Sequence, residues 1–269
     1  MAGLLSVTAF RTSDPAALSA AICRYAAERE VACTTVRVSD EFASNILIFS
    51  ARGGWSVVFW PDAFVGIDLQ LVQHLSRELQ LLASLVFVAE GGAWAHVLLQ
   101  RGAVLDCFSP QPSKLTGPGL AVLVAAHSWS GDAAVLARAF GVETSTIAPY
   151  LRDLDKELAA LQPQPSGFWA RFWARLAPPE APPFRPGRAL PDDEYDLDDM
   201  LVFVDFWRRI GIHYPAEMEL ASPAYVWRFG GDCAEKLRAP APMSEKTTHY
   251  VESLNTPGVS ASRIGRAEP

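Results

Sequence analysis

Cysteine is scarce in this chain. Cys23, Cys33, Cys107 and Cys233 are spread over 269 residues without a CxxC pair. That excludes the closely spaced thiols of redox and metal motifs, and their apolar neighbours mark them as small buried hydrophobes. Long apolar runs are also missing: none approaches the roughly 20 residues of a membrane span. The start, MAGLLSVTAFRTSDP, lacks the basic opening of a signal peptide, so a cytoplasmic protein is expected. Positive charge is short as well. Lys and Arg number 23 against 30 Asp and Glu, a net charge of −7. Nucleic acid and anionic membranes both reward a positive surface, so neither is an expected partner, whereas a basic protein is. No GxSxG, P-loop or strand-borne GxGxxG occurs, and no cofactor is expected.

Strand-forming residues, by contrast, are concentrated in one place. ILIFSARGGWSVVFWP, residues 46–61, pairs two apolar, β-branched and aromatic runs around Gly53-Gly54, whose freedom at positive φ suits a primed hairpin turn. Pro61 has no amide hydrogen to donate and closes it. Around this hairpin the pattern predicts a strand over 4–10, a helix over 16–30 capped at Ser13-Asp14-Pro15, and a strand over 31–38. A helix over 67–79 follows, then strands over 82–88, 94–99 and 104–108. Read as two copies of helix, strand, strand, strand, residues 15–61 and 67–110 predict an α+β fold. Its antiparallel sheet comes from a tandem repeat, with both helices on one face and a small helical module after it. The other face then needs a cover, from the C-terminal half or from a partner.

The predicted organisation is a sheet domain over 1–110 and a helical module over 120–161. A proline-rich linker with a short aromatic helix (162–191), a C-terminal helical segment (192–239) and an unpatterned tail without fixed structure (240–269) complete it.

Three stretches could carry chemistry. AAVLARAFGVETSTIAPYL, 133–151, resembles a helix-turn-helix of the bacterial repressor type, with Ala137, Gly141, Ile147 and Tyr150 at its small, turn and core positions. Its would-be recognition helix has no cation before Arg152 and is interrupted by Pro149. Residues 131–161 carry three basic side chains against five acidic ones, which favours a structural helical hairpin over a DNA reader. Seven carboxylates lie between 192 and 205. Asp192, Asp193 and Asp196, with His213 beyond the next helix, are the candidate ligands of a divalent metal, which would make the protein a metal-dependent enzyme. The competing reading is helix capping and solvation. Cys107 and His96 fall on neighbouring strands, where same-face contact would pair a thiol with a base.

The third stretch is FWARFWARL, 168–176, between two proline-rich segments. On helical spacing Phe168, Trp169, Phe172, Trp173 and Leu176 form one apolar stripe. Each aromatic buries on the order of 150–250 Å2, so at about 25 cal/mol per Å2 several kcal/mol favour docking on this chain or a partner. Phe168, Trp169, Phe172 and Trp173 are therefore the candidate contacts of a non-enzymatic protein-binding protein, its partner another protein or a second copy of the chain. WSVVFWPD, WAHVLL with VLDCFSP, and PDDEYDLDDMLVFVDFWRRIGIHYP resemble segments of a set of uncharacterised bacterial proteins. The resemblance implies no activity, cofactor or catalytic residue.

Overall fold

The computed structural model describes residues 5–36, 44–64, 68–89, 92–115, 128–161, 185–215, 222–230 and 233–238. Its frame is an eight-stranded sheet: β1 (Leu5–Phe10), β2 (Cys33–Thr35), β3 (Ile46–Phe49), β4 (Ser56–Trp60), β5 (Leu82–Val88), β6 (Trp94–Gln100), β7 (Ala103–Phe108) and β8 (Pro223–Phe229). The order is β2-β8-β3-β4-β1-β5-β6-β7, and every neighbouring pair is antiparallel. The fold is α+β.

Alternating direction along that order makes β1 parallel to β2, and β4 parallel to β5. The connections between these parallel strands therefore cross over the sheet, and each contains a helix, as parallel strands require. They are α1 (Pro15–Ala27) and α2 (Asp68–Glu78). Asp14 caps α1 by accepting from the Ala17 amide at 3.0 Å, with Pro15 in the first turn. Leu18, Ile22 and Tyr25 of α1 and Leu71, Val72 and Leu75 of α2 join one core with Ile46, Ile48, Val58, Leu85 and Val97 of the sheet. Both helices thus lie on a single face, at about 2 kcal/mol per fully buried aliphatic side chain.

Two of the tight turns are set by backbone geometry. In the β3–β4 hairpin Gly53 and Gly54 sit at φ 60° and 83°, and Arg52 and Trp55 exchange both backbone hydrogen bonds across them. In the β6–β7 hairpin Arg101 and Gly102 sit at 52° and 82°, and a Cβ on Gly102 would lie 2.8 Å from Arg77 Cβ. Only glycine fits there. Both hairpins belong to one sheet, on either side of β1. The arginine flanks the first turn but lies inside the second, so the turn motifs are not superposable residue for residue.

The eighth strand departs from the expected helical character of 192–239. Residues 223–229 insert between β2 and β3, pairing Trp227 with both Thr35 and Ile46, so the sheet is not confined to 1–110. Pro223 stands at the strand's first residue, where a missing amide is tolerated. Trp227 Nε1 donates to Ser19 Oγ on α1 at 2.8 Å, fixing the insertion to the helical layer.

Over β1 and β4–β7 the second face is covered by the chain's own C-terminal half, while Leu47, Phe49 and Val226 of β3 and β8 form a small cluster of their own. The helices α3 (Ala133–Phe140), α4 (Thr144–Ile147), α5 (Leu154–Leu161) and α6 (Val202–Arg209) follow the sheet, and α7 (Cys233–Arg238) ends the described chain. Leu136, Phe140, Ile147, Tyr150 and Leu154 join Phe203, Phe206, Trp207 and Tyr214 in one cluster with Val7, Val57, Val86, Trp94 and Leu98 of the sheet. Gly211, at φ 79°, ends the stretch beginning at α6, as its position after the last helical turn predicts. The first ten residues of the expected helical module, 120–129, lie almost wholly outside the described residues. At their end the chain runs beside β7, with Ser109 and Gly131 amides donating to Trp129 and Cys107 carbonyls.

Candidate functional site

Three buried polar groups of residues lie where the C-terminal half meets the sheet. The first contains the pair closest to catalytic chemistry. β5 reads LASLVFV and β6 reads WAHVLLQ, so Ser84 and His96 are the polar exceptions on strands that are otherwise apolar up to Gln100. Alternation turns both toward α6. Ser84 Oγ lies 2.9 Å from His96 Nε2, and Trp207 Nε1 donates to the same Oγ at 3.0 Å. An indole N–H can only donate, so Ser84 Oγ accepts from Trp207; its second lone pair and its proton let it either accept from or donate to His96 Nε2, according to the imidazole tautomer. Among the described residues His96 Nδ1 has no hydrogen-bond partner; Phe206 stands edge-on to the ring at 5.1 Å. Burial alone holds the His96 pKa down to about 3.

A serine bonded to a neutral histidine is the beginning of a nucleophile. Here Ser84, His96 and Trp207 are all 0% exposed, the indole occupies an Oγ lone pair, and among the described residues no third group orients Nδ1. No substrate carbonyl can reach Ser84 in this arrangement, and the trio acts as a polar tie between sheet and helix. The candidate Cys107–His96 pair, which required both side chains on one face, does not form. The register sets Val97 opposite Cys107 and His96 opposite Phe108, so the thiol faces α1 and α2 while the imidazole faces α6. Burial pushes the Cys107 thiol up to about 12, the opposite of an activated nucleophile.

The second and third groups absorb the acidic run. Asp193 is buried, accepting from Tyr150 Oη at 2.8 Å, the Leu190 amide at 2.8 Å and Arg209 Nη2 at 2.7 Å. Arg209 Nη2 also reaches exposed Asp192 at 2.6 Å; this bond, then Asp193, holds the guanidinium above its usual range and draws the Asp192 carboxyl below its own. Tyr150 is pushed up, chiefly by burial. Asp205, buried on α6, accepts from the Glu194 and Tyr195 amides at 2.9 and 2.8 Å and from Arg208 at 2.9 Å. Asp199 accepts from the Leu201 amide at 2.8 Å, just ahead of α6. Burial nevertheless outweighs the amides at Asp205 and raises its pKa.

The candidate metal ligands are therefore not brought together. Asp193 is enclosed by Tyr150, Leu190 and Arg209, while Asp192 and Asp196 are exposed. His213 packs beside the β3–β4 turn, its ring 3.7 Å from where a Gly53 Cβ would be. Among the described residues no group of three His, Cys, Asp or Glu side chains is placed to hold a metal ion. The outer carboxylates Glu194, Asp196, Asp198 and Asp199 line an open depression with Tyr195 and Arg188.

The segment 133–151 does fold as helix, turn, helix. Asp132 caps α3, and Gly141, at φ 75°, turns the chain toward α4. Yet α4 has four residues before a 3-10 turn through Pro149, and Ile147 and Tyr150 are buried against α6 and the sheet. Arg152, the first cation of the would-be reading helix, pairs with Glu157 at 2.5 Å and donates to the Pro186 carbonyl at 2.9 Å. The exposed residues at the start of α4 are Glu143, Thr144 and Ser145, none of them a cation. The candidate contacts Phe168, Trp169, Phe172 and Trp173 lie outside the described residues.

Sequence reasoning missed both the Ser84–His96–Trp207 tie and the Tyr150–Asp193–Arg209 cluster. The signals were single polar residues in apolar strands for the first and the Arg208-Arg209 pair ending an apolar helix for the second. Neither signal names its distant partner. Compared with known protein families, with curated proteins and with solved structures, the chain matches none.

Proposed function

We propose that the protein is a non-enzymatic binding protein whose contact is the aromatic stripe Phe168, Trp169, Phe172 and Trp173, completed by the acidic depression at 194–199. The observation that supports this reading is the occupied sheet. Residues 136–154 and 197–214 pack over the face of β1 and β4–β7 that the helices α1 and α2 leave open. The aromatic stripe expected from the sequence at 168–176 then has a partner's surface to gain. Four carboxylates and one arginine around the depression suit a partner whose rim is basic, and speed its encounter more than they add affinity. The polar groups with chemical potential, Ser84, His96, Tyr150 and Asp193, are bonded to one another or to neighbouring elements inside the fold, which supports binding over catalysis.

The test is a photo-reactive benzoylphenylalanine at position 172 of the full chain, irradiated with and without a basic partner or at rising protein concentration. Cross-links to a second polypeptide are expected. Cross-links confined to the chain's own sheet would mean that the stripe is internal packing.

A further inference from the structure

We propose that Cys23 and Cys33 form a reversible redox pair, a thiol–disulfide modification site that ties α1 to the edge strand β2. Their sulfurs lie 3.0 Å apart, Cys23 on the last turns of α1 and Cys33 at the first residue of β2, and both are part-exposed. Two part-exposed thiols already in contact at a helix–strand junction are placed to close a disulfide. Cys107, by contrast, is buried.

The oxidant belongs to the class of small disulfides, with oxidised glutathione as the probe. The Cys23 thiolate attacks one glutathione sulfur, forming a mixed disulfide and releasing one glutathione thiolate. Cys33 Sγ then attacks Cys23 Sγ, the protein disulfide forms, and the second glutathione leaves as a thiolate that takes up the Cys33 proton. Two protein thiols are oxidised and one glutathione disulfide is reduced to two thiols, so atoms and electrons balance. Cys23 attacks first because burial, then its bond to Cys23, holds the Cys33 thiol protonated. The product would fasten β2, a three-residue edge strand that holds β8 from outside, to the helix it packs beside. Oxidation therefore stabilises the edge into which the C-terminal strand is inserted.

The experiment equilibrates the reduced full chain in glutathione buffers of increasing oxidised fraction, alkylates free thiols and maps tryptic peptides. A single intramolecular link is expected between peptides 12–24 and 30–37, with Cys107 and Cys233 alkylated. A rise in Tm of several degrees should accompany it, from closing a short loop in the unfolded chain. Cys33→Ser should accumulate glutathione on Cys23. Both thiols alkylated at the most oxidising buffer, or a link from either cysteine to Cys233 instead, would overturn the pair. The wild-type peptide map decides this even if the variant fails to fold.

Discussion

Acid should loosen this protein through His96. The imidazole is neutral in the fold, with its pKa held down to about 3, and titrates at its ordinary 6.5 once the chain unfolds. A base whose folded pKa is depressed contributes stability that is present above the unfolded value and lost as pH falls from 6.5 toward 3. At 1.36 kcal/mol per pH unit, lowering the pH from 6.5 to 5 costs about 2 kcal/mol. Asp106 works against it. Burial raises that carboxyl to about 6, so the fold takes up its proton before the unfolded chain does and gains stability as pH falls from 6 toward 3.8. This carboxyl is partly solvated, so its offset is discounted for screening. The two effects separate in an Asp106→Asn background, where the amide oxygen can still accept the Asp132 N–H that Asp106 binds at 2.9 Å. Urea unfolding followed by tryptophan fluorescence, at constant ionic strength, compares this variant with Asp106→Asn/His96→Gln at pH 7.5, 6.5, 5.5 and 5.0. The difference between the two should shrink by about 2 kcal/mol from the highest to the lowest pH, with m-values unchanged. Parallel pH profiles would refute a buried, neutral His96.

Removing the Asp193 carboxylate by Asp193→Ala should cost about 3 kcal/mol, because Tyr150 and Arg209 lose their shared acceptor while Arg209 keeps Asp192; a loss under about 1 kcal/mol by chemical denaturation would contradict the cluster. Gly102→Ala should cost about 2 kcal/mol or more, and Gly54→Ala only about 1, since both have positive φ but only Gly102 faces a 2.8 Å contact. Equal thermal shifts in the two variants would place the penalty in the backbone alone. No duplex binding is expected at physiological salt, and a salt-sensitive mobility shift abolished by Arg152→Glu would reverse that conclusion.

What was legible in the sequence was local. The Gly53-Gly54 hairpin, the Asp14–Pro15 helix start and the separate apolar stripes of α1 and α2 each depend on residues within a few turns of one another. What was not legible was pairing at a distance. β8 carries ordinary strand composition in Tyr225, Val226 and Trp227, but its neighbours β2 and β3 lie far back in the chain, and no turn links them to it. His96 and Cys107 show a subtler limit. Their strands were recognisable, but a register difference of one residue decides which face each side chain takes, and that register becomes visible only in the paired sheet. The acidic run looked solvated because its length is unpatterned; Asp193 is inside because Arg209 and Tyr150, from two other elements, compensate its charge.

The measurement that bears most directly on the binding role is the unfolding free energy of Trp169→Ala/Trp173→Ala in the full chain, taken together with its cross-linking to a second polypeptide from position 172. A contact stripe predicts stability within about 1 kcal/mol of the parent and loss of the cross-link, as for substitutions outside the core. A core helix predicts a loss of several kcal/mol, since each buried tryptophan truncated to alanine costs about 3–5 kcal/mol, and that result would contradict the binding role assigned to this segment.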